Sequence, residues 1–359
     1  MWSAEPATGF GAGLVRIIDI AHTSAGWIAV GSIADPQQAP GLWRSSDLSA
    51  WSPVAVSAVS FYGARHELYT VAGGSQGAAV VGAAPGGAHD NPRVATWYLD
   101  GDTLKEVPAL FELFGGERQG SVVQVASGPT GYVIIGDRTD QNDRFGATAW
   151  TSPDARTAFS IDDTDPALES GATETVDALG IAGGPRGYLA VGERFGAPGP
   201  TVDGIAWSSP DGRGWTRVVP AAFGGPGDQV IQQAAAWDGG WILAGTDSLG
   251  RTTTIVTWSS HDAIHWQESR VDAGPGDPTA AVTALAVDGR RIVLAGRING
   301  RPVLSSSTDG RRWQPLAPPT SLTPDPHLHL AVATSGTTLL VAATAGGATD
   351  VWISRNAGS

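Results

Sequence analysis

Cysteine is absent from this chain, which excludes disulfides, thiolate metal sites and thiol chemistry. Basic residues are few: 21 arginines and one lysine, Lys105, stand against 35 acidic residues, for a formal net charge of −13. Phosphate-backbone binding needs clustered Lys and Arg, and none is clustered here, so no nucleic-acid partner is expected. No apolar run approaches the roughly 20 residues of a membrane helix, so no membrane span is expected and the chain should be soluble. No charged stretch leading into an apolar one opens the chain. The expectation is an extracytoplasmic protein whose signal segment is not part of this chain, with a cytosolic protein as the alternative. The near-absence of lysine beside abundant Ala and Gly resembles the coding bias of high-GC bacteria such as actinomycetes.

What is plentiful is glycine (49), proline (24) and tryptophan (14), in a chain 42% hydrophobic and 16% charged. That profile suits many short strands joined by turns and is too apolar for disorder. Its 359 residues would make two average domains or one large repeat domain. A repeat decides between them. The tryptophan of an "AWSS"-like phrase falls at Trp43, Trp97, Trp150, Trp207, Trp258 and Trp352, with Ser305 in its place in the sixth unit. The intervals of 54, 53, 57, 51, 47 and 47 residues match a four-stranded propeller blade.

Each unit has the same anatomy. A first apolar run ("VRIIDIA", "ELYTVA", "SVVQVA") is followed by a second ending in glycine ("GWIAVG", "GYVIIG", "GWILAG"). A polar loop, the Trp-bearing third strand, an Asp-led hairpin and a fourth strand complete it. Short β-branched and aromatic runs between Gly, Pro and Asp read as strands, and no stretch has a helical period. The prediction is an all-β fold, a seven-bladed β-propeller of four-stranded antiparallel blades. Its blades lie at about 15–54, 66–108, 121–162, 175–220, 229–271, 281–316 and 329–359 plus 1–6, in a single domain spanning 1–359. The seventh unit stops before a fourth strand, so residues 1–6 are expected to supply it and close the ring, with Trp2 plugging its turn. In the hairpins Asp accepts backbone N–H bonds, a Gly after it tolerates positive φ, and the Trp four residues past Asp plugs the blade, as at Asp47/Trp51, Asp211/Trp215, Asp262/Trp266 and Asp309/Trp313. In the third unit Phe159 follows Asp154 one residue later, and the second unit, "YLDGDTLKEV", has lost the aromatic.

The phrase S-x-D-G-x-x-W, as at Ser45–Trp51, Ser209–Trp215, Ser260–Trp266 and Ser307–Trp313, resembles the Asp-box (BNR) repeat of sialidase-like propellers. These turns are one residue shorter than that family's usual form. The resemblance spans the ring and implies a sialidase-like superfold, with the boxes on the face away from any active site. It does not extend to sialidase catalysis. The family's R-I-P signature ahead of the first box is missing. Tyr132 and Tyr188 sit in a strand slot shared with Trp27 and Trp241, which marks them as core, and Tyr69 sits in a first-strand repeat position.

Function is then expected at the loops after the second and fourth strands. Candidate ligand-binding residues there, or on first strands facing the channel, are Arg16, Gln124, Arg138, Glu193, Arg194, Gln233, Arg297 and His329. Asp19 and Asp177 are candidate carboxylates for acid/base chemistry. Phe61, Phe114 and Phe223 echo one another ahead of successive first strands and are expected to cap gaps between blades. No cofactor motif or metal-ligand set is present, "DRTDQNDRFG" at 137–146 lacking the order of a calcium loop. The first reading is a bacterial binding or scaffold protein taking a carbohydrate or protein ligand opposite the Asp boxes, as a monomer. Alternatives are a carbohydrate-active hydrolase or lyase using channel-facing carboxylates, and a cofactor-independent tailoring enzyme.

Overall fold

A computed structural model describes residues 5–11, 14–34, 37–75, 77–86, 91–140, 143–162, 164–196, 201–272, 279–319 and 322–355. These residues form seven sheets of antiparallel strands that run outward in chain order from an innermost first strand, apart from an added outer strand in blade 2 and the chain start on the edge of blade 7. The first strands of blades 1 to 7 are Leu14–Thr23, Glu67–Gly74, Gln119–Gly128, Thr175–Gly184, Asp228–Trp237, Ala281–Asp288 and His329–Ser335. Each packs on the first strand of the next blade, and the seventh packs on the first, so the ring is closed. The protein is a seven-bladed β-propeller. No helix among the described residues is long and apolar enough to cross a membrane.

The glycine that ends each second run has a steric cause. In blades 1 to 6 the first strand carries a β-bulge, and Gly31, Gly82, Gly136, Gly192, Gly245 and Gly296 pair with the residue just before it. The bulge pushes the carbonyl one residue earlier onto the glycine. A methyl group on Gly31, Gly136, Gly192, Gly245 or Gly296 would overlap the carbonyl oxygen of Arg16, Ser121, Asp177, Val230 or Ala281, respectively. The seventh unit is the exception that fits the rule. Its second strand, Thr338–Ala345, has no glycine, and its pairing with His329–Ser335 has no register shift.

The bulges also mark where blades are tied together. A first strand is an edge strand, with N–H groups facing the axis that no sheet partner can take. Side chains beside the bulges supply acceptors. Asp19 Oδ2 takes the Val71 N–H (2.9 Å), Thr70 Oγ1 the Val125 N–H (3.3 Å), Gln124 Oε1 the Ile181 N–H (2.9 Å) and Gln232 Oε1 the Val282 N–H (2.8 Å). Thr283 Oγ1 instead donates to the Leu330 carbonyl (2.8 Å). Between blades 7 and 1, Thr344 Oγ1 donates to the Ile17 carbonyl and Thr349 Oγ1 accepts the Ile17 N–H.

Two tryptophan sets, one on third strands and one in Asp hairpins, pack the blades, and blades 1, 4 and 5 carry both. The third-strand indoles of Trp43, Trp97, Trp150, Trp207 and Trp258 are wholly buried. Four of them donate Nε1–H to the chain arriving at the inner strand, at the carbonyls of Phe10, Leu113, Ala167 and Ala222. In the Asp hairpins, one carboxylate oxygen of Asp47, Asp154, Asp211, Asp262 and Asp309 accepts two successive backbone N–H groups. For Asp47 the Ser49 hydroxyl, then the Ser49 and Ala50 N–H groups, hold the carboxyl down at about 2. The residue after Asp adopts positive φ even where it is Leu48, Ala155 or Ala263 rather than glycine, so these bonds fix the turn unaided.

The chain start seals the ring. Glu5–Pro6 pairs antiparallel with Ala348–Ser354, Glu5 opposite Ile353 and Pro6 opposite Trp352. The Ala7 N–H continues to Val351, Thr8 bridges to Trp51, and the Phe10 ring stacks on Trp51 at 5.2 Å. Trp2, expected to plug the last turn, lies outside the described residues. Deleting residues 1–6 is expected to lower the melting temperature by about 5 °C or more, read by calorimetry. Gly192→Ala should prevent soluble folding, while Gly214→Ala, with open space around it, should melt like the parent. Equal behaviour of the two glycine variants would refute the bulge account.

Candidate functional site

The turns after first and third strands share one face: Thr130 Oγ1 donates to the Asp211 carbonyl and His261 Nδ1 lies 3.0 Å from the Gly239 carbonyl. Loops after second and fourth strands therefore gather on the other. On that loop face the ends of the inner strands divide by charge.

Around blades 6, 7, 1 and 2 stand Arg297, His329, Arg16 and Glu67. Arg16 pairs with Glu67 at 2.7 Å, and Ser32 Oγ donates to the same carboxylate. His329 donates Nε2–H to the Ile18 carbonyl (2.8 Å); burial first, then Arg297 and Arg16, pushes its pKa below the ordinary value. Arg297 donates to the Leu328 carbonyl. Around blades 3 to 5 stand acids. Asp137 accepts from Ser121 Oγ (2.5 Å) and the Ala178 N–H (2.7 Å), yet burial, aided by Asp177 and Glu193, raises it to about 6. Glu193 is raised by burial and by the charges of Asp177 and Asp228, and Asp177 by burial. Asp177 and Glu193 face each other in the strand register.

The two candidate carboxylates Asp19 and Asp177 lie on the first strands of blades 1 and 4, with blades 2 and 3 between them on the short side of the ring. Asp19 is one of the inter-blade clasps, raised by burial to about 6 against the pull of Val71, Ile20 and Thr70. Gln124 is another clasp, and Gln233 adjoins the third, Gln232. Arg138 donates to the carbonyls of Glu112 and Leu113. Arg194 holds Asp203 (2.9 Å) and Glu174 (3.6 Å), and Arg217 also binds Glu174. Most of the residues expected to meet a ligand are thus already engaged with the ring itself.

A second feature of the loop face escaped sequence reasoning. The chain leaving blade 1 does not cross directly to the inner strand of blade 2. Ala55–Ser57 first adds to that blade as a fifth, parallel strand against Thr103–Glu106. Glu106 then anchors the detour, accepting the Val59 N–H (2.7 Å), the Ser60 N–H (2.9 Å) and Ser60 Oγ (2.5 Å). A side chain on Gly63 would collide with that carboxylate.

The detour displaces the ring that should pack on Trp97. Phe114 and Phe223 are buried against Trp150 and Trp258, as the echo implied, but Phe61 is 66% exposed. His66 stands in its place, edge-on to Trp97 at 5.8 Å. Its burial lowers its pKa to about 4, against the pull of Glu106 and of the Arg93 backbone, so it is neutral at physiological pH. Neither His66 Nδ1 nor Trp97 Nε1 has a hydrogen-bond partner.

Between this detour and the segment leading to blade 3 lies a cavity of about 280 Å³. Tyr62, His66, Arg93, Leu110 and Phe111 line it. The Arg93 guanidinium lies 4.3 Å from the Phe111 ring centre and 5.6 Å from that of Tyr62. Leu110 is 80% exposed, and Val59 and Phe111 are also exposed, which gathers three large apolar side chains around one opening, with the exposed Phe61 on the same detour. Among the described residues no carboxylate pairs with Arg93. The only signal for this in the sequence was the loss of the box aromatic in unit 2.

Structural similarity is broad and distant. YCF48 bound to D1 peptide aligns at a TM-score of 0.53 and 12% identity, covering 100% of this chain and 96% of that one. The polysaccharide lyase Uly1 gives 0.55 and 11%, over 98% and 92%. The β-propeller domain of the Trilobed protease from Pyrococcus furiosus, described as having an open velcro topology, gives 0.54 and 9%, over 95% and 94%. Sialidases are among the similar structures as well. At these identities the likeness establishes the β-propeller fold and nothing finer. No protein-family model and no curated protein matches the sequence.

The clasp role of Asp19 has a pH signature. Its folded pKa lies above its unfolded value of 3.8, so the stability linked to its proton is full below about 4 and lost as pH rises through about 6. On acidification from about pH 7 to about pH 4, the parent should gain melting temperature relative to Asp19→Asn. A gap that stays constant across this range would count against a buried, proton-accepting clasp.

Proposed function

We propose that the protein is a binding module that docks a protein partner on the loop face, at the opening beside blade 2. One observation carries this reading: three exposed large apolar side chains, Val59, Leu110 and Phe111, line a cavity whose arginine pairs with no carboxylate among the described residues. Scattered surface leucines and phenylalanines mean little, but such side chains gathered at a concavity mark an interaction site. The similar propeller solved with a bound peptide lends support to this class of partner through the fold alone. Arg16, Glu67, Asp137, Arg297 and His329 at the channel mouth are better accounted for as structural ties, since their hydrogen bonds run within the ring.

A carbohydrate-active hydrolase or lyase is the second reading, favoured by the raised pKa values of Asp137, Asp177 and Glu193 near one another. It requires turnover of some polysaccharide that Asp177→Asn and Glu193→Gln abolish.

The docking reading is tested by panning a displayed random peptide library against the intact chain and footprinting bound peptides by hydrogen exchange. Protection is expected over 59–66 and 107–115, with the Asp hairpins unchanged. A footprint confined to the hairpin face would overturn it.

A further inference from the structure

We infer that the blade 2 cavity is a subsite for one large apolar side chain of an acidic peptide segment, with Arg93 pairing the flanking Asp or Glu. This rests on the docking reading above and names its ligand chemistry.

Size comes first. About 280 Å³ falls just below the roughly 300–1,000 Å³ of pockets that enclose whole small molecules. It suits a single Phe, Trp or Leu side chain, with the rest of the segment lying across the rim formed by Val59, Leu110 and Phe111.

Charge decides the flanks. Arg16, Arg144, Arg194 and Arg217 on the loop side are all held by carboxylates of the ring. Arg93 is held by aromatic faces instead, over Phe111 and beside Tyr62. Stacking fixes the plane of the guanidinium while leaving N–H groups for a bidentate carboxylate. Arg65, stacked 3.8 Å from the centre of Phe61, adds a second positive charge on the same detour. Of the acids nearby, Glu106 already accepts three bonds from the detour, and Glu112 is exposed beside Phe111. On a chain of net charge −13, an acidic segment is repelled in general and attracted here, which orients its approach.

The site is also built rather than left over. The parallel strand Ala55–Ser57, the Glu106 anchor and the close fit of Gly63 together hold the detour off the sheet. The histidine in place of a phenylalanine is part of the same departure from the repeat.

Peptides enriched on the intact chain at low salt are expected to share a large apolar residue flanked by Asp or Glu. A resynthesised peptide should lose roughly tenfold in affinity on Arg93→Ala, less on Arg93→Lys, and roughly tenfold on Ala109→Trp, which fills the cavity. Melting temperatures of these variants should match the parent. Enriched peptides without acidic residues, or affinity indifferent to Arg93→Ala and Ala109→Trp, would overturn this inference. In that case a footprint still on 59–66 and 107–115 leaves the docking reading standing. Failure to enrich any peptide overturns both.

Discussion

The innermost strand of a propeller blade is an edge strand, and the N–H groups it turns toward the axis have no sheet partner. Leaving one buried and unpaired costs about 1–3 kcal/mol. This ring answers by bulging the first strand in six of its blades and, in four of them, placing an acceptor beside the bulge. Asp19, Thr70, Gln124 and Gln232 each reach into the next blade. The residues differ in chemistry and agree in geometry. The bulge in turn presses a carbonyl onto the second strand, which explains the glycine there in blades 1, 3, 4, 5 and 6 and its absence from the unbulged seventh. Inner-strand polarity, so often a sign of a ligand channel, is largely consumed in holding neighbours together.

Closure follows from a related need. The seventh blade would expose the edge of Ala348–Ser354 if nothing paired with it, and Glu5–Pro6 does. The following residues then run to blade 1, where the Trp43 indole bonds the Phe10 carbonyl and Phe10 stacks on Trp51. The same indole-to-carbonyl bond recurs at Trp150, Trp207 and Trp258, so entry to blade 1 copies entry to blades 3, 4 and 5. Chain start and ring joint are one construction.

Blade 2 departs from this pattern at several points at once. It has a fifth strand, a third-strand indole without a carbonyl, a histidine in a phenylalanine slot, and an arginine that stacks on aromatics and pairs with no carboxylate among the described residues. These are consequences of a single change, the outward detour of the incoming chain held by Glu106. A repeat fold shows its function where one copy breaks the rule the others keep, because the shared rule already accounts for stability.

The sequence by itself determined the architecture. Tryptophan spacing, glycine-terminated runs and Asp hairpins are local and recur in each unit, so the blade count, the antiparallel order and the role of the chain start were legible from them. Tyr132 and Tyr188 were correctly read as core because they shared a slot with Trp27 and Trp241. What only the tertiary structure decided was which polar residues were already spent. Asp19, Gln124 and Arg194 look available in one dimension, yet their partners are 9 to 57 residues away and on other strands. The blade 2 cavity was hidden for the same reason. Phe61 echoes Phe114 and Phe223 in sequence, but a parallel pairing between Ala55–Ser57 and Thr103–Glu106 turned it outward and drew His66 in. Such a pairing joins segments nearly fifty residues apart, and it leaves no period in the chain from which to read it.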